Sequence, residues 1–300
     1  MDPIVDPSIA AIEAKNRLVQ VIVILLFIIA LSAAAYFVFI TNSPQEKFYR
    51  SLMNMTTMQA VSRNYQMVSD SKVKSTLSLD IKSDFSSTTA PVSALTYDVS
   101  GLVNGGLIKG EQVLRQGPVF DSKLLQSKAM KDTRYSLNKW YAINTQNTSA
   151  NNLSLFDTMR LREDANSPFG IVSFGFSTKS QSETFIKDLK DKNVYKVGGV
   201  KSQDSNGKKY DIYSIVVDTD TLTAVTEKTA KKSKQALPKN TLSINHMNSE
   251  MEFWVNQKNE QIEKIVFSTK PSLHNPAMNG EMLIDFATQK SISVPDAQEL

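Results

Sequence analysis

The sequence predicts an α+β protein in which one transmembrane helix precedes a single antiparallel β-sheet domain. Three observations lead to this fold class. The run Leu18–Ile40 contains no charged residue. From about residue 73 onward, short segments alternate apolar and polar residues, as half-buried strands do. Between these segments, two further stretches carry apolar residues at helical spacing.

The apolar run Leu18–Ile40 is long enough to cross a membrane. As a helix it spans roughly 35 Å, and the hydrocarbon core of a bilayer is about 30 Å thick. The alternative is a cleaved signal peptide, whose apolar core is only about 7–15 residues long and ends at the cleavage site. The small residues Ser32–Ala35 lie inside the run rather than at its end. The length of the run therefore predicts a retained anchor.

The charges around the run indicate its orientation. Lys15 and Arg17 precede it closely, whereas the next two basic residues lie further beyond its other end. Long domains cross membranes largely regardless of charge. We therefore expect a single-pass protein of the cell membrane, with residues 1–17 as a cytoplasmic tail and residues 41–300 as one extracytoplasmic domain.

The composition excludes several function classes. The chain has 300 residues, a formal net charge of +4 and no cysteine. Without cysteine there is no disulfide, zinc–thiolate site, thiol nucleophile or lipid attachment to a cysteine. The mild positive charge is not accompanied by an aromatic–basic motif, so nucleic acid is not an expected partner.

The extracytoplasmic domain opens with a predicted helix. Ser43 fits the cap position, Pro44 the first helical position, and Glu46 completes a capping box. Apolar residues at helical spacing extend this helix from Phe48 to about Tyr65. The pattern then changes to period two. Four strands are predicted within KVKSTLSLDIKS, ALTYDVSGLV, GLIKGEQVLRQG and RYSLNKWYAIN.

The second half of the domain repeats this mixture of helix and strand. A short helix is predicted to begin at Ser180, and the turn Asp204–Gly207 should join the two strands of a hairpin, because Gly207 tolerates a positive φ. The amphipathic stretch Thr219–Lys232 follows. A second hairpin, EMEFWVNQKNEQIEKIVFST, and a last strand, EMLIDFATQ, complete the sheet, and the chain should leave the sheet at Pro295.

The order of these elements resembles the LolA-like and LppX-like family of extracytoplasmic lipid and lipoprotein carriers. The resemblance rests on Asn138–Ile143, Tyr195–Asp218, Glu252–Ser268 and the closing Ile292–Ala297. It implies a strongly curved sheet, an open half-barrel, with helices on its concave side and an apolar cavity for acyl chains. Two features depart from the family: the peptide anchor, which prevents free diffusion, and the basic stretch Lys228–Asn240.

No group of residues in the sequence forms a recognisable catalytic or metal site. His246 and His274 lie in asparagine-containing segments without ligand spacing, and Ser173 misses the spacing of a nucleophile elbow by one position. No zinc-protease, phosphate-loop or dinucleotide motif occurs. We therefore expect no enzyme activity, no cofactor and no metal ion.

The apolar sides of the predicted strands form the candidate binding surface. A filled core and a lipid cavity both need such a face, so periodicity alone does not separate them. The candidate lining residues are Leu77, Leu79, Ile81, Leu95, Tyr97, Val99, Trp140, Ile212, Phe253, Val255, Ile265, Phe267, Ile284 and Phe286.

A lysine cluster is the candidate contact with a membrane surface. It consists of Lys228, Lys231, Lys232 and Lys234, and the other interpretation is a solvated helix face. Each lysine near an anionic surface contributes about 1 kcal/mol. The sequence thus predicts a membrane-tethered domain that binds a lipid or lipophilic group non-covalently. The alternative is a non-catalytic structural or interaction module of a cell-envelope assembly, with a filled core and envelope proteins as partners.

Overall fold

The structure of the chain is a computed structural model. It describes residues 22, 24–32, 43–56, 60–70, 75–84, 92–102, 106–114, 119–127, 136–144, 179–233, 249–269, 277–286 and 292–299. The chain divides into two units, Met1–Lys47 and Phe48–Leu300, and each is described by itself.

Most of the predicted membrane run Leu18–Ile40 lies outside the described residues. Residue 22 and residues 24–32 are helical, and their side chains are exposed. Within the described ranges, no helix combines the length and the apolar character that a membrane crossing requires.

Among the described residues, twelve strands form one large sheet in the second unit, which agrees with the predicted antiparallel architecture. They are β1 (Ala60–Asp70), β2 (Ser75–Asp84), β3 (Val92–Leu102), β4 (Gly106–Leu114), β5 (Val119–Ser127), β6 (Trp140–Asn144), β7 (Tyr195–Ser205), β8 (Lys208–Val217), β9 (Ser249–Asn256), β10 (Ile262–Thr269), β11 (Ala277–Asp285) and β12 (Gln298–Glu299). The spatial order is β12-β6-β5-β4-β3-β2-β1-β11-β10-β9-β8-β7. The sheet is open, with β12 and β7 at its two ends.

Every described strand pair is antiparallel except β12 with β6, which is parallel. The hairpin β7–β8 turns at Asn206 and Gly207, whose φ angles of 51° and 75° suit a tight two-residue turn. This confirms the turn predicted at Asp204–Gly207. As the end strand, β7 carries a bulge between Val197 and Gly199, and such bulges discourage edge-to-edge association.

Within the described part of the second unit and its junction with the first, three helices accompany the sheet: α1 (Pro44–Thr56), α2 (Lys179–Asp191) and α3 (Thr219–Ser233). The Ser43 hydroxyl accepts a hydrogen bond from the Glu46 amide at 3.3 Å, as the predicted cap requires. Asp218 caps α3 by accepting from the amide and hydroxyl of Thr221, at 3.0 and 2.9 Å. These hydrogen bonds lower the pKa of the Asp218 carboxyl.

The first helix is shorter than predicted, because the segment after it is a strand. α1 ends at Thr56, whose hydroxyl donates to the Met53 carbonyl at 2.8 Å. Ala60–Asp70 then forms β1, with ladders to β2 on one side and β11 on the other. Pairing on both sides outweighs the helical spacing of its apolar residues.

Two further strands were not predicted. Val119–Ser127 forms β5, which joins β4 to β6. Gln298 pairs with Tyr141 of β6, although the chain was predicted to leave the sheet at Pro295.

One continuous apolar core covers one face of the sheet, which we call the inner face; the opposite face is the outer face. All three helices contribute buried side chains to this core: Phe48, Leu52 and Met55 from α1, Phe185, Ile186 and Leu189 from α2, and Leu222 and Val225 from α3.

Candidate functional site

The inner face contains all but two of the predicted lining residues. Leu79, Ile81, Leu95, Tyr97, Val99, Phe253, Val255, Ile265, Phe267 and Ile284 are buried members of the core, and Leu77 and Phe286 pack against it. Their common face follows from the strand registers, in which Leu79 lies opposite Tyr97 and Phe253 lies opposite Ile265.

Trp140 lies on the outer face, contrary to the expectation for this residue. It pairs with Lys123 of β5, whose ammonium nitrogen is 5.0 Å from the centroid of the Trp140 ring. Lys123 also forms an ion pair of 2.6 Å with Glu111 on β4. The neighbouring Tyr141 is the buried residue that faces inward, opposite Ser122.

Ile212 also lies on the outer face. It pairs with Trp254 of β9, whereas Tyr213 and Ile215 of the same strand belong to the core. β8 has aromatic or aliphatic residues on both faces, so its apolar pattern does not show which face points inward.

The inner face of β7, β8 and β9 is packed by aromatic rings. The ring of Phe48 lies 5.7 Å from those of Tyr195 and Tyr213 and 5.1 Å from that of Phe253. The Tyr49 hydroxyl donates to the Leu189 carbonyl at 3.2 Å and accepts from the Tyr195 amide at 3.4 Å. Burial raises the pKa of the Tyr195 hydroxyl. This part of the core is closely filled by α1.

The inner face of β2–β5 changes from apolar to polar along the strands. At the apolar end, Tyr97 lies across Gly110, where a Cβ atom would overlap the tyrosine hydroxyl. Burial raises the pKa of this hydroxyl, and a hydrogen bond with Ser122 partly opposes the shift. At the other end the buried hydroxyls of Ser83 and Ser93 lie 2.7 Å apart.

On the inner face of β2–β5, the side chains that the structure describes are uncharged. The buried amide of Gln112 donates to Ser122 at 3.5 Å, the longest hydrogen bond of the group. Charged side chains of these strands pair on the outer face instead, as in the ion pair Lys109–Asp98 of 2.6 Å. The surface therefore offers apolar contact and neutral hydrogen-bonding groups to whatever packs on it.

The predicted lysine cluster is only partly described. Lys228 on α3 forms an ion pair of 2.9 Å with Asp188 on α2, so its ammonium group already has a partner. Lys231 and Lys232 lie on α3, but their side chains are outside the described set, as is all of Lys234.

A groove of about 690 Å³ lies along the outer face of β8–β11. The sequence does not reveal this groove, because its lining residues come from four different strands. Its lining includes Tyr210, Trp254, Lys264, Glu281 and Leu283. The one sequence signal was the tryptophan of EFWVN, which occupies the polar side of an alternating strand.

Glu263 closes one end of the groove with three hydrogen bonds. Its carboxylate accepts from Lys208 at 2.8 Å, from Tyr210 at 2.7 Å and from Asn256 at 2.7 Å. Desolvation raises the pKa of this carboxyl, but the three hydrogen bonds outweigh it and the pKa is lowered. Burial and the same carboxylate raise the pKa of Tyr210 to about 12.

Replacing Glu263 with glutamine should lower the unfolding free energy by about 1–3 kcal/mol near neutral pH, because a hydrogen-bonded carboxylate becomes a neutral amide. The lowered pKa means that the carboxylate stabilises the fold above its unfolded-state pKa, and this stabilisation disappears as pH falls through the folded-state pKa. Urea unfolding of the wild type and of Glu263→Gln should therefore show that the difference in unfolding free energy becomes smaller as the pH is lowered through the acidic range. Glu227→Gln, on an exposed position of α3, is the control and should show a negligible difference at every pH.

No group of His, Cys, Asp or Glu among the described residues is arranged to hold a metal ion. His246, His274 and Ser173 lie outside the described ranges.

No protein-family model matches the chain, and no curated protein sequence does. Among solved structures, it is similar to LprF from Mycobacterium bovis, with 11% identity and a TM-score of 0.47, over 85% of this chain and 98% of that one. A LolA superfamily protein from Nitrosomonas europaea is also similar, with 11% identity and a TM-score of 0.25, over 84% and 94% of the two chains.

A third similar structure is a domain described as an outer membrane lipoprotein-sorting protein from Vibrio parahaemolyticus. It has 11% identity and a TM-score of 0.26, over 82% of this chain and 93% of that one.

Proposed function

We propose that this chain binds a lipid or another lipophilic group non-covalently on the inner face of β2–β5. The observation that carries the proposal is the character of this face: apolar side chains from Leu79 to Val99 at one end, neutral hydroxyl and amide groups at the other. Burial of each CH₂ group of an acyl chain contributes about 0.8 kcal/mol. An uncharged surface of this kind favours lipid tails over charged ligands, since a buried unpaired charge is costly.

The proposal includes the location of the domain. Leu18–Ile40 would hold residues 41–300 at the cell membrane on its extracytoplasmic side, with residues 1–17 in the cytoplasm. Lys228 and its neighbours Lys231, Lys232 and Lys234 would lie near anionic head groups. The role is one of binding rather than catalysis, and a tethered domain would hand its ligand to a partner instead of diffusing with it.

Native mass spectrometry tests the lipid proposal. The full chain, with a protease site inserted between Ile40 and Thr41, is purified and the domain is then released into detergent-free buffer. A reproducible lipid adduct is expected, either directly or after incubation with membrane extract. A clean apo mass under both conditions would contradict the proposal.

Substituting Val99 with phenylalanine should separate a lipid site from a filled core. Val99 is buried on the inner face of β3. The larger phenylalanine ring would occupy space that the proposed acyl chain needs. We expect the adduct to be lost with little change in the unfolding midpoint of the lipid-free protein. In a filled core the same ring would overpack its neighbours and destabilise the domain by about 1–3 kcal/mol. Thr96→Phe, on the exposed side of the same strand, is the control and should keep the adduct.

A second candidate function is a structural or interaction module of a cell-envelope assembly. The exposed apolar residues Val216 and Leu283 on the outer face favour it, with 58% and 47% of their surfaces accessible. A photoreactive amino acid at position 216 should then cross-link to an envelope protein in intact cells, whereas the same probe at the exposed position 227 should not.

A further inference from the structure

The outer groove is a second surface that the lipid proposal does not use. Most of its lining lies on the outer face, although Ile284 and Phe286 of the inner-face set also contribute, and its volume of about 690 Å³ falls within the usual range of ligand pockets, about 300–1,000 Å³. Its residues come from β8, β9, β10 and β11 and from the β7–β8 turn. Whatever it binds would bind independently of a lipid on the inner face.

Four of the five charged residues that line the groove form two ion pairs within it, and Asp285 is the fifth. Lys208 pairs with Glu263 at 2.8 Å, and Lys264 pairs with Glu281 at 2.7 Å. An anion or a cation that binds at either of these ion pairs would have to compete with an existing partner of opposite charge. These paired groups still present donors and acceptors to a neutral ligand, because an ammonium has three N–H bonds and a carboxylate several lone pairs.

The apolar part of the groove is an aromatic platform. The rings of Trp254 and Tyr210 lie 5.8 Å apart in an edge-to-face arrangement, and the Lys264 ammonium nitrogen lies 5.0 Å from the centroid of the Trp254 ring. The indole N–H of Trp254 is shielded from solvent and has no hydrogen-bond partner within the described part of the chain. Buried donors usually have a partner, so a ligand with an acceptor oxygen at this position would satisfy the indole N–H.

We propose that this groove binds a neutral saccharide, with one sugar ring stacked on Trp254 in place of the Lys264 ammonium. A sugar ring has an apolar C–H face that suits an aromatic ring and hydroxyls that both donate and accept hydrogen bonds. Lys264 and Glu281 would hydrogen-bond to these hydroxyls, and a hydroxyl oxygen would accept from the Trp254 indole. A purely apolar ligand would form no hydrogen bonds with these charged residues at the rim of the groove.

The second tryptophan of the chain supplies an internal control. Trp140 also lies on the outer face, under a lysine at 5.0 Å whose glutamate partner sits on the next strand. It is not among the residues that line the groove. Trp254 and Trp140 therefore both lie under a lysine that is paired with a glutamate on the neighbouring strand, but Trp140 does not line this groove.

The test is a two-dimensional NMR titration of the full chain in dodecylphosphocholine, a detergent without sugar. The two indole N–H signals, assigned with Trp254→Phe and Trp140→Phe, are followed as maltotetraose, cellotetraose or chitotetraose is added to millimolar concentration. We expect at least one of these sugars to shift the Trp254 signal in a saturable manner and to leave the Trp140 signal in place. If no sugar shifts the Trp254 signal, or if both signals move alike, the proposal is wrong.

A matched pair of variants separates binding from a general effect on the fold. Glu281→Gln should weaken the saccharide about tenfold, whereas Glu111→Gln, which alters the equivalent pair beside Trp140, should leave its affinity unchanged. Equal affinity of both variants would contradict a role for Glu281 in the groove. Because these experiments follow the Trp254 indole signal and the saccharide affinity, the presence or absence of a lipid adduct does not decide either outcome.

Discussion

Replacing Phe48 with alanine should lower the unfolding free energy of the domain by about 3–5 kcal/mol. The Phe48 side chain is completely buried, and its ring contacts the rings of Tyr195, Tyr213 and Phe253 at centroid distances of 5.1–5.7 Å. The substitution would remove the ring that joins α1 to three strands and leave a cavity that its rigid aromatic neighbours fill poorly. Urea unfolding followed by circular dichroism measures the loss.

Phe48→Leu and Arg50→Ala provide the comparison for this prediction. Leucine keeps much of the buried volume, so its cost should be clearly smaller than that of alanine. Arg50 lies two residues along the same helix, but its ion pair with Glu260 is solvent-exposed, and exposed pairs contribute about 0–1 kcal/mol. A loss for Phe48→Ala no larger than that for Arg50→Ala would contradict the central position of Phe48 in the core.

Strands with a clean alternation were predictable from the sequence. Along Leu77–Ile81 of β2 and Leu95–Val99 of β3, the apolar residues occupy every second position and the others are polar, so only one face of each segment is able to enter the core. Leu79, Ile81, Leu95, Tyr97 and Val99 are accordingly all buried. The resemblance to LolA-like proteins in the order of elements then predicted that the strands form one large open sheet.

In strands with apolar residues on both faces, the face that points inward was not predictable. In WYAIN and KKYDIYSIVV the facing of Trp140 and Ile212 depends on the register with neighbouring strands, which is a tertiary property. The same holds for β1, whose residues Val61 and Tyr65 have helical spacing and become a strand through pairing with β2 and β11.

The outer groove was the least predictable feature. Tyr210, Trp254, Lys264 and Glu281 are far apart in the sequence and meet only because β8–β11 are neighbours in the sheet. In the sequence, Lys264 and Glu281 are indistinguishable from the ordinary charged residues of solvent-exposed strand positions. Only the tertiary register shows that Lys264 lies between Trp254 and Leu283.

Replacing Gly280 with alanine should destabilise the domain by about 1–3 kcal/mol or more, although only one methyl group is added. Phe267 of β10 lies opposite Gly280 of β11, and its ring occupies the space that a Cβ atom at position 280 would need. The ring is itself buried in the core, with 5% of its surface accessible. Relief of the overlap would therefore require the ring or the strand to move against packed neighbours.

Gly199→Ala on β7 is the matched control, because a Cβ atom there would meet nothing within 4 Å. We expect it to change the unfolding free energy by only a few tenths of a kcal/mol in either direction. A double-mutant cycle that combines Gly280→Ala with Phe267→Ala identifies the cause of the Gly280 effect. With the ring removed, the methyl group added at position 280 should no longer clash and should partly fill the vacated space, so the double variant should be more stable than the sum of the single losses implies. Strict additivity would mean that the cost of Gly280→Ala comes from the backbone at position 280 rather than from Phe267.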